Sequence, residues 1–234
     1  MTELIFALDV PDRKEADRWV ELLGAEVSWH KIGLELFLRE GAGLVERIAA
    51  QGKKVFLDLK LHDIPRTVEK SVLQVGSIGA SMMTIHASGG PAMITAAAEA
   101  ARKLKQPPKI IAVTVLTSLD AHDLKTIGLK RHPGKWAIQL ALMAKESGAD
   151  GVVAGPREVK PIKRECGSDF AVITPGIRMP DSQADDQRRT ATPGAAARMG
   201  ADFIVVGRPI REAPDPVNMA REIKKMIAGS RIRP

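Results

Sequence analysis

The sequence predicts an α/β protein: a closed (β/α)8 TIM barrel formed as a single domain over residues 1–234. Three observations carry that expectation. Short β-branched, apolar runs alternate eight times with amphipathic stretches, the pattern of parallel β/α units. The runs are apolar almost throughout rather than at every second position, so the strands are expected to be buried on both faces. An open doubly wound sheet would also alternate, but eight units in this length favour closure.

Leu4–Leu8 opens the series and is followed by the helical pattern of Lys14–Leu23. Val27–Ile32 precedes Leu44–Gln51, Lys54–Leu59 precedes Thr67–Ile78, and Met82–Ile85 precedes Ala92–Lys105. In the second half, Ile110–Leu116 pairs with Trp136–Ser147 and Gly151–Ala154 with Arg157–Glu165. Phe170–Thr174 then leads to Ala195–Met199, and Phe203–Val206 to Pro216–Ile227. Glycine repeatedly follows the helical pattern, at Gly24, Gly52, Gly79, Gly148 and Gly200, as the stop expected before a strand. Two polar segments break the rhythm: Asp120–Gly134, and Pro175–Pro193, which is a candidate lid. No Gly/Ser linker, charge block or low-complexity tract marks a second domain.

Composition narrows the function classes. Hydrophobic residues make up 44% of the chain, enough for a core that needs no disulfide or metal staple. The lone Cys166 has no intrachain partner, which favours a reducing compartment. The first residues lack the basic and apolar segments of a secretion signal, and no apolar window is long enough to span a membrane. A cytoplasmic protein is expected. The net charge of +7 comes from basic residues spread along the chain without interleaved stacking aromatics. That suits an enzyme acting on an anion better than a nucleic-acid binder.

Active sites of such barrels lie at the C-terminal ends of the strands. Here those ends carry charge: Asp9 after the first run, Lys31 in the second, Asp58 and Lys60 in the third, and Asp63 in the turn beyond. Asp58 and Lys60 are two apart, so strand alternation would point both to one side. Charges are costly to bury singly, and an alternating Lys/Asp array makes them tolerable. A structural salt-bridge cluster is the alternative. After the eighth run, Gly207 would let backbone N–H groups approach an oxyanion, and Arg208 would add a bidentate donor. His30, His62, His86, His122 and His132 have no metal-ligand spacing, and no nicotinamide or ATP motif is present, so no cofactor is expected.

The string Phe56-Leu57-Asp58-Leu59-Lys60-Leu61-His62-Asp63-Ile64-Pro65, followed by Thr67-Val68, resembles the signature of the orotidine monophosphate decarboxylase family. Other segments match in order, among them Ala7-Leu8-Asp9, Lys31-Ile32-Gly33, Leu116-Thr117-Ser118, Thr174-Pro175-Gly176-Ile177-Arg178 and Val206-Gly207-Arg208-Pro209-Ile210. Arg66 departs from the pattern, where Asn is more usual. The resemblance covers nearly the whole chain and implies a cofactor-free decarboxylation of a pyrimidine nucleotide. It implies a charged tetrad of Lys31, Asp58, Lys60 and Asp63, the last supplied with Ile64 and Thr67 by the neighbouring subunit of a homodimer. Asp9 and Lys31 would hold ribose hydroxyls. Thr117 and Ser118 would approach the pyrimidine and Pro175 the substrate beside them, while Arg178, Gln187, Gly207 and Arg208 would grip the phosphate. Lys60 would stabilise the developing C6 carbanion and donate its proton.

Two other readings stay open on the sequence. A metal-dependent sugar-phosphate relative on the same scaffold would want an acidic ligand near the second strand's end, where this chain has Lys31, with Glu35 four residues on. A nucleic-acid-binding protein is suggested only by the basic pI of about 9.6, and it leaves the charged strand ends unexplained.

Overall fold

Each of the eight apolar runs forms a strand in the computed structural model, which describes residues 2–179 and 190–230. The strands are β1 (Glu3–Ala7), β2 (Trp29–Gly33), β3 (Lys54–Leu61), β4 (Met82–His86), β5 (Lys109–Val113), β6 (Gly151–Val153), β7 (Ala171–Thr174) and β8 (Phe203–Val206). They pair in parallel in sequence order, and β1 pairs with β8 to close the barrel. The expected eight-stranded barrel is the observed fold.

The helices are α1 (Arg13–Leu23), α2 (Leu34–Glu40), α3 (Ala42–Ala50), α4 (Pro65–Ser77), α5 (Pro91–Arg102) and α6 (Ala121–Thr126). The chain continues through α7 (Pro133–Glu146), α8 (Val159–Cys166), α9 (Pro193–Arg198), α10 (Arg208–Arg211) and α11 (Pro216–Gly229). Proline begins α4, α5, α7, α9 and α11, where its fixed φ suits the first turn and its missing N–H costs nothing. Asp12, Thr192 and Asp215 cap α1, α9 and α11 through side-chain oxygens. Three short helices, α2, α6 and α10, were not expected from the periodicity. The helix α6 falls within the polar Asp120–Gly134 excursion and is set by a capping box between Asp120 and Asp123.

Two apolar layers result. Ile5, Trp29, Phe56, Met82, Ile111, Ile173 and Phe203 fill the barrel interior, while the outward faces of the strands pack against the helices. Side chains alternate along each strand, so on several strands the residue two beyond the interior plug reaches the mouth. Ala7 follows Ile5 in this way, Lys31 follows Trp29, Asp58 follows Phe56 and Val205 follows Phe203, and all four line the same cleft. Among the described residues, no helix is long and apolar enough to cross a membrane. The fifth strand ends at Val113, three residues before the expected Leu116, and the chain beyond turns to line the mouth.

Candidate active site

The cleft at the C-terminal end of the barrel has a volume of about 270 Å3. Val113, Val115, Leu116, Val153, Ile173 and Val205 form the apolar part of its lining. Four charged side chains cluster at the ends of β1, β2 and β3. The Lys31 ammonium lies 3.0 Å from Asp9 Oδ1 and 3.9 Å from Asp58 Oδ2. Lys60 Nζ lies 2.9 Å from the same Asp58 Oδ2. Asp58 is buried, with 9% of its surface exposed, so two ammonium groups hold one sequestered carboxylate. Removing either partner would leave a charge poorly compensated in a medium that solvates it weakly.

The nearness of Asp58 and Lys60 does not come from regular pleating. Lys60 has φ of +53°, in the left-handed region that side chains other than glycine rarely adopt. Holding it there costs on the order of 1–3 kcal/mol, a cost met at sites where the surroundings over-determine the backbone. The pairing of β3 with β4 shifts between Leu57 and Leu61, so the simple two-residue alternation fails at this point. The Lys60 N–H donates to Thr84 Oγ1 at 2.8 Å, and the Thr84 hydroxyl donates to Asp58 Oδ1 at 3.0 Å.

Arg178, Gly207 and Arg208 gather along the same cleft, together with Thr117 and Pro175. Arg211 lines it as well and donates a hydrogen bond to the Asp9 carbonyl. Of the residues singled out in the sequence, the cleft thus brings together Asp9, Lys31, Asp58, Lys60, Thr117, Pro175, Arg178, Gly207 and Arg208. Ser118 is exposed and is not part of its lining. Asp63, Ile64 and Thr67 are exposed at the start of α4, outside this cleft, with Asp63 Oδ1 accepting from the Ile64 N–H at 2.7 Å. Gln187 and residues 180–189 of the candidate lid lie outside the described residues. Sequence reasoning missed Thr84 and Arg211. A threonine inside the apolar run Met82–Ile85 was a signal for the first, and a second arginine three residues after Arg208 for the other.

His86, at the end of β4, packs against His62 with the rings tilted and their centroids 5.3 Å apart. Burial, followed by the nearby His62 and Lys60 charges, holds the His86 pKa below the usual 6.5 against a smaller opposing pull from Asp58. Among the described residues, no group of three or more His, Cys, Asp or Glu side chains is placed to hold a metal. Glu35 is exposed on α2 and does not line the cleft. A larger cavity of about 1050 Å3 opens at the opposite end of the barrel, beside Trp29 and Asp202. Two of its cations, Arg221 and Lys224, are committed to Glu26 at 2.8 and 3.0 Å, so the charged mouth is the better candidate site.

The sequence and the fold both have known relatives. The model of the orotidine 5′-phosphate decarboxylase / HUMPS family matches residues 2–223. An orotidine 5′-phosphate decarboxylase of Syntrophotalea carbinolica is 45% identical over 233 residues, covering 97% of this chain and 96% of the relative. That of Trichlorobacter lovleyi is 43% identical over 231 residues, with the same coverage of each chain. The crystal structure of orotidine 5′-phosphate decarboxylase from Lactobacillus acidophilus superposes with a TM-score of 0.87 at 37% identity, covering 97% of this chain and 99% of that one. The match extends through the charged strand ends as well as the barrel that carries them, and the chain belongs to the orotidine 5′-phosphate decarboxylase / HUMPS family.

Proposed function

We propose that this protein decarboxylates orotidine 5′-monophosphate to UMP and CO2, a reaction of de novo pyrimidine biosynthesis, in the cleft at the barrel mouth. The observation that carries the reading is the Lys31–Asp58–Lys60 array, with Lys60 Nζ 2.9 Å from a buried carboxylate. The C6–carboxylate bond breaks, CO2 leaves, and the electron pair stays on C6 in an in-plane orbital that the ring π-system cannot absorb. A fixed ammonium beside C6 stabilises that charge without reorganising during the reaction, and the apolar side chains of the lining exclude part of the water that would screen it. Lys60 then gives a proton to C6. Asp58 holds Lys31 and Lys60 in place, and together with Asp63 it keeps the charged tetrad near neutrality.

Asp9 and Lys31 bind the ribose hydroxyls, Thr117 borders the pyrimidine with Pro175 against the substrate, and Ser118, outside the cleft lining here, approaches the pyrimidine once substrate is bound. Arg178, Gln187, Gly207 and Arg208 bind the phosphate, a contact remote from C6 whose binding energy helps organise the reacting end. The reading calls for no cofactor. It treats residues 1–234 as one catalytic domain in the cytoplasm, in keeping with the lone, buried Cys166. Asp63, Ile64 and Thr67 complete the site of a second subunit in a homodimer. Their exposure, with Leu38 and Ile64 left 79% and 66% exposed on segments that leave the mouth, supports an interface there.

The test is the ultraviolet absorbance of orotidine 5′-monophosphate mixed with the protein in EDTA. Rapid conversion to UMP is expected. Folded protein that leaves the nucleotide untouched, but acts on a sugar phosphate once Mg²⁺ is restored, would move the assignment to metal-dependent HUMPS-type chemistry.

A further inference from the structure

The pairing of β3 with β4 places Leu57 opposite Met83 and Leu61 opposite Ile85. Three residues, Asp58, Leu59 and Lys60, therefore stand against the single residue Thr84. Extra residues on one strand leave ladder groups unpaired and re-aim the side chains they carry. Here the bulge carries two of the charged groups of the cleft. Thr84 is fully buried on β4, and a threonine hydroxyl has one proton to give and lone pairs to accept with. The Lys60 N–H can only donate, so the hydroxyl proton goes to the acceptor that remains, Asp58 Oδ1. One hydroxyl thereby fixes the left-handed main chain beneath Lys60 and the carboxylate that holds the Lys60 ammonium.

We propose that Thr84 is a positioning residue for the decarboxylation, setting where Lys60 Nζ sits relative to Asp58 and hence to C6. The inference rests on the reading that Lys60 is the proton donor. Thr84 is not among the residues lining the cleft. Its loss therefore moves the chemical step and leaves nucleotide binding at the phosphate end in place.

The experiment compares kcat for orotidine 5′-monophosphate with the Kd of UMP, measured by calorimetry, in Thr84→Val, Thr84→Ser and Lys60→Ala. Valine keeps the shape and deletes the hydroxyl. Thr84→Val is expected to lose roughly 10- to 100-fold in kcat, the scale of a small misplacement of a reacting group. UMP affinity should stay within a few-fold of wild type, and Thr84→Ser should recover most of kcat. The proposal is overturned if Thr84→Val keeps kcat within a few-fold. It is equally overturned if kcat and UMP affinity fall in proportion, or if serine does no better than valine. Should the valine variant not fold, Thr84→Cys, of similar size but a weak donor, is read by the same criteria. Substantial turnover in Lys60→Ala would instead remove the parent reading, whatever the Thr84 variants do.

Discussion

Burial treats two ionisable side chains of neighbouring strands in opposite ways. Asp58 on β3 is charged and held by Lys31 and Lys60, a costly arrangement that a site for charged chemistry retains. His30 on β2 points away from the barrel interior, fully buried and edge-on to Phe6, and neither ring nitrogen has a hydrogen-bond partner among the described residues. Burial, helped by the Lys53 charge, lowers its pKa to about 4. The unfolded chain takes up that proton near 6.5 and the folded protein only near 4, so the unfolded state binds more protons between those values. Stability linked to His30 is therefore complete above pH 6.5 and is lost as pH falls towards 4. The full loss is on the order of 3 kcal/mol. In urea titrations at pH 7 and pH 4.5, His30→Leu should lose less stability between the two pH values than wild type. Equal losses in both proteins would mean that His30 does not carry this dependence.

At the scale of elements, the strands were legible because burial on both faces writes itself as an unbroken apolar run. The helices were legible where an apolar stripe repeats over several turns. The helix α2 has one fully buried residue, Leu36, and α10 has one, Ile210, so neither presents a periodic stripe to read. The β3 irregularity was hidden for another reason: Lys54–Leu59 reads as a continuous run, which the structure extends to Leu61, and the mismatch exists only relative to β4. Gly151 on β6 shows the same dependence on a neighbour. It pairs with Ala171 of β7, and a Cβ placed on it would lie 2.4 Å from the Ala171 carbonyl oxygen and 2.7 Å from the Ala171 Cβ. A backbone contact cannot relax by turning a rotamer, so the two strands would have to part. Gly151→Ala is expected to destabilise the fold by about 1–3 kcal/mol, the usual cost of overpacking. A urea midpoint equal to wild type would show that the barrel absorbs the methyl group without cost.

For the whole molecule, the closed barrel turns separate strand ends into one place, which is why a linear sequence disclosed most of the candidate site. Asp9, Lys31, Asp58, Lys60 and Arg208 were each identifiable as charge at a strand end, and closure brings them to one cleft. Thr84 and Arg211 were not, because their roles depend on a cross-strand register and on how a four-residue helix points back at Asp9. On the proposed reading, Asp63 belongs to a site shared between two chains. It sits five residues from Asp58 yet lies outside the cleft that Asp58 lines, which suits delivery to a second subunit. Co-expression of Lys60→Ala with Asp63→Ala tests that arrangement through two-fold symmetry. Each variant alone is expected to be nearly inactive, because both sites of its dimer lack one group. In a mixed dimer, one site loses both groups and the other regains an intact Lys60 and an intact Asp63. Random pairing makes half the dimers mixed, so roughly one-quarter of wild-type activity should return. If Asp63 acted within its own chain, the mixed dimer would carry one defect in each site, and activity would stay at the level of the single variants.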